Sequence, residues 1–171
     1  MKTIIVTGAS GNMGQAVARK FLKEGFQVTG TVIPNDPVRI DIDDPAFSTT
    51  TANLLEEEAA AAMVKEISTK NGSIDAAVLT VGGFAMGEIA ATSSADILKQ
   101  YKLNFETAYH VARPVFVQML QQGYGRIFLV GSRPGLDMQQ GKGMTAYALA
   151  KSLVFRLAEL MNEEAKGTNV V

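Results

Sequence analysis

The 171-residue chain has no cysteine, which excludes disulfides, thiolate metal sites and a cysteine nucleophile, and fits a reducing compartment. It has a single histidine, His110, too few for a His-rich metal site or a histidine-dependent triad, so no metal is expected and His110 is read as a packing or surface residue. Neither sign of charge is in excess. The 16 Lys and Arg and 17 Asp and Glu are interspersed for a net charge of −1, which leaves no basic footprint for nucleic acid. No apolar run approaches the ~20 residues that span a bilayer. Met1-Lys2 lead directly into a strand, with no room for a signal peptide. The expectation is a cytoplasmic protein that binds neither nucleic acid nor membrane. What is present, 47% hydrophobic and 19% charged residues, is the composition of an ordinary globular protein, and the length suits one domain with a real core.

The pattern along the chain alternates strand and helix. Thr3 to Thr7 is a β-branched run bounded by glycine, and Phe26 to Ile33 is a second strand, closed by Pro34-Asn35-Asp36-Pro37. Ser48 to Asn53 suits a short third strand after an Asp-rich loop, Ile74 to Val81 a fourth and Arg126 to Gly131 a fifth. Between them, helices are predicted over Asn12 to Glu24, Leu54 to Lys70, Ser93 to Gln122 in two pieces, and Met144 to Lys166. The stretch after the fifth strand reads as a loop, and Asn169-Val170-Val171 as the start of a further strand. Such alternation implies right-handed crossovers and an α/β fold: a Rossmann-like, doubly wound parallel sheet with helices on both faces. Ligands of such folds bind beyond the carboxyl ends of the strands, so the ends at Thr7, Ile33, Val81 and Gly131 are expected to converge on one cleft.

Two local patterns carry chemistry. Gly8, Gly11 and Gly14 stand between the first strand and the first helix, where glycine allows a tight turn, close approach to a pyrophosphate and tight helix–strand packing. The helix start then offers free N–H groups to phosphate. Late in the chain, Tyr147 and Lys151 lie four residues apart, on one face of a helix. A phenol with a pKa of ~10 exchanges protons poorly at neutral pH unless a cation stabilises its phenolate. A nucleotide-binding turn combined with that pair suggests hydride transfer coupled to proton transfer.

On these motifs the chain resembles the short-chain dehydrogenase/reductase family over nearly its whole length. Thr7-Gly8-Ala9-Ser10-Gly11-Asn12-Met13-Gly14 is similar to the family's Gly-rich turn, with the middle glycine one place early and Asn12 where most compact members carry glycine. Asn53, before Leu54, stands where the family has an adenine-contacting Asp, and Thr80-Val81-Gly82-Gly83 replaces its Asn-Asn-Ala-Gly run. The resemblance implies a cofactor site of Gly8, Ser10, Gly11, Asn12, Met13, Gly14, Asn53, Leu54, Val81, Gly82 and Gly83 with Tyr147 and Lys151. It also implies a catalytic set. The backbone of Asn104 holds a water in a proton relay, Ser132 hydrogen-bonds the substrate oxygen, Tyr147 is the general acid/base, and Lys151 tunes it and binds the nicotinamide ribose. Ser132 lies slightly farther from Tyr147 than usual, which suggests a short insertion between Asp137 and Gly143.

The implied activity is NAD(P)-dependent reduction of a small carbonyl or oxidation of an alcohol. A non-catalytic dinucleotide-binding sensor or scaffold is the alternative. The end of strand two, Thr31-Val32-Ile33, has no carboxylate to hold the adenosine ribose, which leans slightly from NAD toward NADP, with Arg39 a possible phosphate contact. Met86 and Met138 are candidates to line a substrate pocket, and Arg133 and Asp137 flank it. The resemblance further implies a homodimer or homotetramer. It also implies later strands that this chain does not include, so the single domain over 1–171 is expected to be incomplete at its C-terminus. Truncation, completion by a partner and an inactive relic remain open, the first favoured because the last residues do not look like a designed stop.

Overall fold

The computed structural model describes all of residues 1–171. Its elements, in chain order, are β1 (Thr3–Thr7), α1 (Asn12–Lys23), β2 (Gln27–Val32), β3 (Phe47–Thr51), α2 (Glu57–Asn71), β4 (Ala76–Leu79), α3 (Ser94–Tyr101), a π turn (Lys102–Glu106), α4 (Thr107–Gln122), β5 (Tyr124–Leu129), α5 (Arg133–Leu136), α6 (Thr145–Glu164) and β6 (Asn169–Val170). Short 3-10 turns occur at Ile89–Ala91 and Met138–Gly141. The strands form one parallel sheet in the order β3-β2-β1-β4-β5-β6. This is the Rossmann-like sheet expected, and its switch point falls between β1 and β4.

Side-chain alternation along β1 divides the core. Ile4 and Val6 join Ala18 of α1, Val28, Ala76 and Val78 on one face. Ile5 points to the other, with Ala77, Leu79 and the buried faces of α2 and α4. Complete burial of each such isoleucine contributes about 2 kcal/mol. Leu157 and Met161 of α6 pack on this second cluster. On the α1 face the sheet is only partly covered, and Tyr124 and Phe128 of β5 are exposed.

Element boundaries differ from expectation where side chains compete with the backbone. α2 starts at Glu57 because Asn53 folds 53–56 into a turn, its Oδ1 accepting from Leu55 N–H at 3.2 Å. The helical stretch after Ser93 is interrupted by the π turn, and α4 runs on through Pro114. The loop after β5 contains α5, which tolerates Pro134 because proline is acceptable in the first helical turn.

A parallel bridge joins Gly87 to Met144. Gly87 N–H donates to Gly143 O at 2.7 Å and Thr145 N–H to Gly87 O at 2.9 Å. The loop after β4 is thereby fastened to the start of α6.

Candidate functional site

The carboxyl ends of β1, β2, β3 and β4 surround a cleft of about 390 Å³. Ten of the expected cofactor residues line it: Gly8, Ser10, Gly11, Asn12, Met13, Gly14, Asn53, Leu54, Val81 and Gly82. Gly83, Ser132, Tyr147 and Lys151 do not line this cavity, and neither does the end of β5. The floor of the turn is fixed by backbone contacts. Gly8 has φ +62°, Gly11 N–H donates to Gly8 O at 3.0 Å, and Ala9 N–H donates to Thr31 O at 2.9 Å. A Cβ on Gly14 would lie 2.2 Å from Gly8 O. At the helix start, Gly11 is the N-cap and no side chain caps it, so the first-turn N–H groups are open to an anion from the cleft.

Thr7 and Thr80 tie β1 to β4 at their carboxyl ends. Thr80 N–H donates to Thr7 Oγ1 at 3.0 Å and Thr80 Oγ1 to Thr7 O at 2.6 Å. Asn53 reaches the cleft, yet its amide is engaged locally: Nδ2 donates to Glu56 Oε1 at 2.7 Å. His110 packs, its Nδ1 lying 2.9 Å from Leu54 O, which holds α4 against the segment before α2.

Asn104 sits in the π turn, 1% exposed. The wider turn moves the hydrogen bond of Thr107 N–H to Lys102 O, five residues back. Asn104 Oδ1 accepts from Gly83 N–H at 3.1 Å, and Nδ2 donates to Gly83 O at 2.9 Å. Gln100, passed over in the sequence, is also buried, and its Oε1 accepts from Asn104 Nδ2 at 2.9 Å, deciding which end of the Asn104 amide faces Gly83 N–H. Its signal was available: the two amides are four apart on one helix.

The Lys151 ammonium donates to Val130 O at 2.7 Å, and the residue as a whole is 5% exposed. A Cβ on Gly82 would lie 2.7 Å from Asn104 Oδ1 and 3.3 Å from Lys151 Nζ. Glycine there lets the lysine and the asparagine meet at the wall of the cleft. Gly135 of α5 has a similar role: a Cβ would come within 2.7 Å of Lys151 C and Cβ, so α5 lies directly against α6. Ser132 caps α5, accepting from Gly135 N–H at 3.4 Å, an arrangement that leaves its own O–H free to donate. The half-buried Tyr147 meets the exposed Phe84 edge-on, ring centroids 5.2 Å apart. Met86 and Met138 are exposed, and Asp137 caps the 3-10 turn through Gln139 N–H at 3.0 Å.

Burial pushes the Lys151 ammonium below the ordinary lysine value. The depressed value makes the folded chain release this proton before the unfolded chain does. The burial penalty is therefore complete below the folded-state pKa and is relieved as pH rises from there toward 10.5. Lys151→Met should be at least as stable as the parent near neutrality and lose that advantage towards about pH 10. Denaturant unfolding of both chains at the two pH values measures this, and a difference independent of pH would refute it.

The second unforeseen residue is Asp36. It lines the cleft, and its Oδ2 accepts from Ser10 Oγ at 2.5 Å. In the sequence Asp36 stands only as part of the turn Pro34-Asn35-Asp36-Pro37.

Comparison with known proteins bears on the whole chain. The family model for short chain dehydrogenases matches residues 2–171. An acetoacetyl-CoA reductase from Acinetobacter sp. is 27% identical over 178 residues, covering 99% of this chain and 70% of that protein. A cyclic-di-GMP-binding biofilm dispersal mediator protein from Escherichia coli is 29% identical over 157 residues, covering 92% of this chain and 64% of that protein. Among solved structures, a putative short-chain dehydrogenase/reductase from Burkholderia xenovorans superposes with a TM-score of 0.88 at 26% identity, covering 99% of this chain and 68% of that one.

Proposed function

This chain belongs to the short chain dehydrogenase family, and from that premise we propose that it is an NAD(P)-dependent oxidoreductase acting on a small carbonyl or alcohol. The observation that carries the proposal is the meeting at Gly82. One residue lines the cleft shared with the Gly8–Gly14 turn and also touches the space of Lys151 Nζ and Asn104 Oδ1. The two patterns that are separate in sequence are adjacent there. The cleft suits a dinucleotide: its turn brings backbone close without Cβ atoms, and its helix start presents uncapped N–H groups.

When bound, the dinucleotide supplies hydride to the substrate carbon or accepts it. The chain's own residues handle the proton and the charge. In reduction, Tyr147 gives its phenolic proton to the substrate oxygen as negative charge develops there. Ser132, accepting from Gly135 N–H, donates its O–H to the same oxygen. Lys151, one helical turn from Tyr147, contributes positive charge that favours the phenolate left behind. Asn104 and Gln100 keep the Gly83 backbone and the π turn in place. Residues 1–171 act in this proposal as one dinucleotide-binding and catalytic unit, assembled into a homodimer or homotetramer through α4 and α6, which expose Val117, Leu120, Leu149, Leu153 and Leu160.

Oxidation of a reduced nicotinamide dinucleotide, followed by absorbance against a panel of aldehydes, ketones and 3-ketoacyl thioesters, tests the proposal. Turnover with at least one carbonyl is the expected result. Saturable dinucleotide binding with no turnover on any carbonyl would favour a sensor or scaffold, the second reading. Similarity to the biofilm dispersal mediator, whose name describes nucleotide binding, favours that reading. No helix of the chain is long and apolar enough to cross a membrane.

A further inference from the structure

We propose that Gln100 is a positioning residue for the reaction: its side-chain oxygen fixes the Asn104 amide, and that amide holds the Gly82-Gly83 wall beside Lys151. The inference rests on the oxidoreductase reading and deepens it. Gln100 lies outside the sequence motifs and does not line the cleft, so it acts through another side chain.

The wall needs support from elsewhere in the fold. Gly82 and Gly83 follow β4 in a run from Thr80 to Met86 that belongs to no helix or strand. Glycine has more backbone freedom to lose than any other residue, so two in succession do not hold their own shape. Thr80 is tied to Thr7 at one end of the run, and Gly87 to Gly143 at the other. Between them, from Val81 to Met86, the backbone makes two hydrogen bonds, and both go to the Asn104 amide. That one side chain therefore sets where Gly82 sits. A Cβ on Gly82 would lie 2.7 Å from Asn104 Oδ1 and 3.3 Å from Lys151 Nζ, so a small shift of the wall is felt at the lysine.

Gln100 grips the amide that grips the wall. Asn104 Nδ2 carries two hydrogens. One goes to Gly83 O at 2.9 Å, and the other is met by Gln100 Oε1 at 2.9 Å, with Gln100 O farther off at 3.2 Å. Held at both ends, the amide plane does not turn. Gln100 is itself well placed for this: it is 5% exposed on α3, whose start is closed by the Ser93–Asp96 capping box. Its Nε2 has no protein partner, and no side-chain polar atom sealed from solvent goes unpaired. Nε2 therefore opens on the cavity of about 230 Å³ that Gln100 lines with Thr92, Asp96 and Lys99. Polar surroundings suit that end of the amide, which leaves the oxygen to Asn104.

Gln100→Leu and the longer Gln100→Met remove the oxygen, whereas Gln100→Glu keeps one toward Asn104 in either protonation state. Each variant, shown to be folded by circular dichroism, is compared with the parent in two ways. Exchange of the Gly83 amide hydrogen is followed by NMR, and turnover of a carbonyl is measured beside titrations with NADH and NADPH. Without the oxygen, Gly83 exchange should quicken and kcat fall, each by about tenfold, while dinucleotide Kd stays within about threefold of the parent. Gln100→Glu should recover most of both losses. Unchanged Gly83 exchange in the apolar variants, a loss confined to dinucleotide affinity, or Gln100→Glu as impaired as Gln100→Leu would each overturn the positioning role and leave the oxidoreductase reading intact. A parent that binds dinucleotide but turns over no carbonyl would overturn that reading and the positioning role with it, and Gly83 exchange would still decide whether Gln100 holds the wall.

Discussion

Tyr147→Phe is expected to lower turnover by on the order of 100-fold or more, with dinucleotide affinity and thermal stability unchanged. The substitution keeps the ring, and with it the edge-on contact to Phe84 at 5.2 Å. What it removes is the proton that the proposed mechanism delivers to the substrate oxygen. Lys151 remains anchored on Val130 O and the Gly-rich turn is untouched, so binding energy gathered along the cleft survives. Single-turnover hydride transfer, measured at saturating dinucleotide and beside a binding titration, separates the chemical step from affinity. A variant that turns over as fast as the parent would end the assignment of Tyr147 as acid/base. A parallel loss of binding would instead show that the hydroxyl holds the dinucleotide.

Gly14→Ala should be the most damaging change in the turn. Helix propensity alone predicts a gain of about 1 kcal/mol, since alanine replaces glycine inside α1. Contact geometry opposes it: the new Cβ would stand 2.2 Å from Gly8 O and 2.8 Å from Ala9 Cα, both backbone atoms that cannot rotate away. Relief requires α1 to move off β1, opening the core around Ala18, Ile4 and Val6. Overpacking of this kind costs about 3 kcal/mol, more than the propensity gain, and a net loss of about 2 kcal/mol lowers Tm by roughly 4–8 °C. The same shift tilts the first-turn N–H groups away from the phosphate position, so dinucleotide binding should fall steeply as well. Gly11→Ala is the internal comparison, because its Cβ would lie 3.3 Å from the same oxygen and needs only a small adjustment. Thermal melts and dinucleotide titrations of the two variants check the ranking, and equal behaviour would contradict it.

The sheet was legible because its central strands are short β-branched or apolar runs bounded by glycine or turn residues, and because α1 and α6 repeat apolar positions at helical spacing. The Gly8–Gly14 turn and the Tyr147–Lys151 pair were legible for a related reason: each is a local pattern whose spacing is its geometry. Asp36 was not, because its place at the cleft depends on Ser10, 26 positions earlier, and on a turn that folds back over the cleft. The Pro34-Asn35 pair marks where the chain reverses, though not what it meets. Lys151 showed a different limit. Its spacing placed it beside Tyr147, but its bond to Val130 O and its contact with the Gly82 wall arise from β4 and β5 pairing far from α6 in sequence. The π turn also left no composition signal, since Asn104 is an ordinary helical residue until its amide is claimed by the Gly83 backbone.

The bridge between Gly87 and Met144 determines which parts of this region can move independently. Two backbone hydrogen bonds couple the loop after β4 to the start of the tyrosine helix, so the pair travels as one body. Gly135, wedged against Lys151, ties the base of α5 to the same body. The span from Leu136 to Lys142 lies outside that bridge, closed by its own capped 3-10 turn, and there Leu136 and Met138 present bare apolar side chains to solvent. Displacement of that short span would leave the phenol where it is, because the start of its helix is held through Gly87.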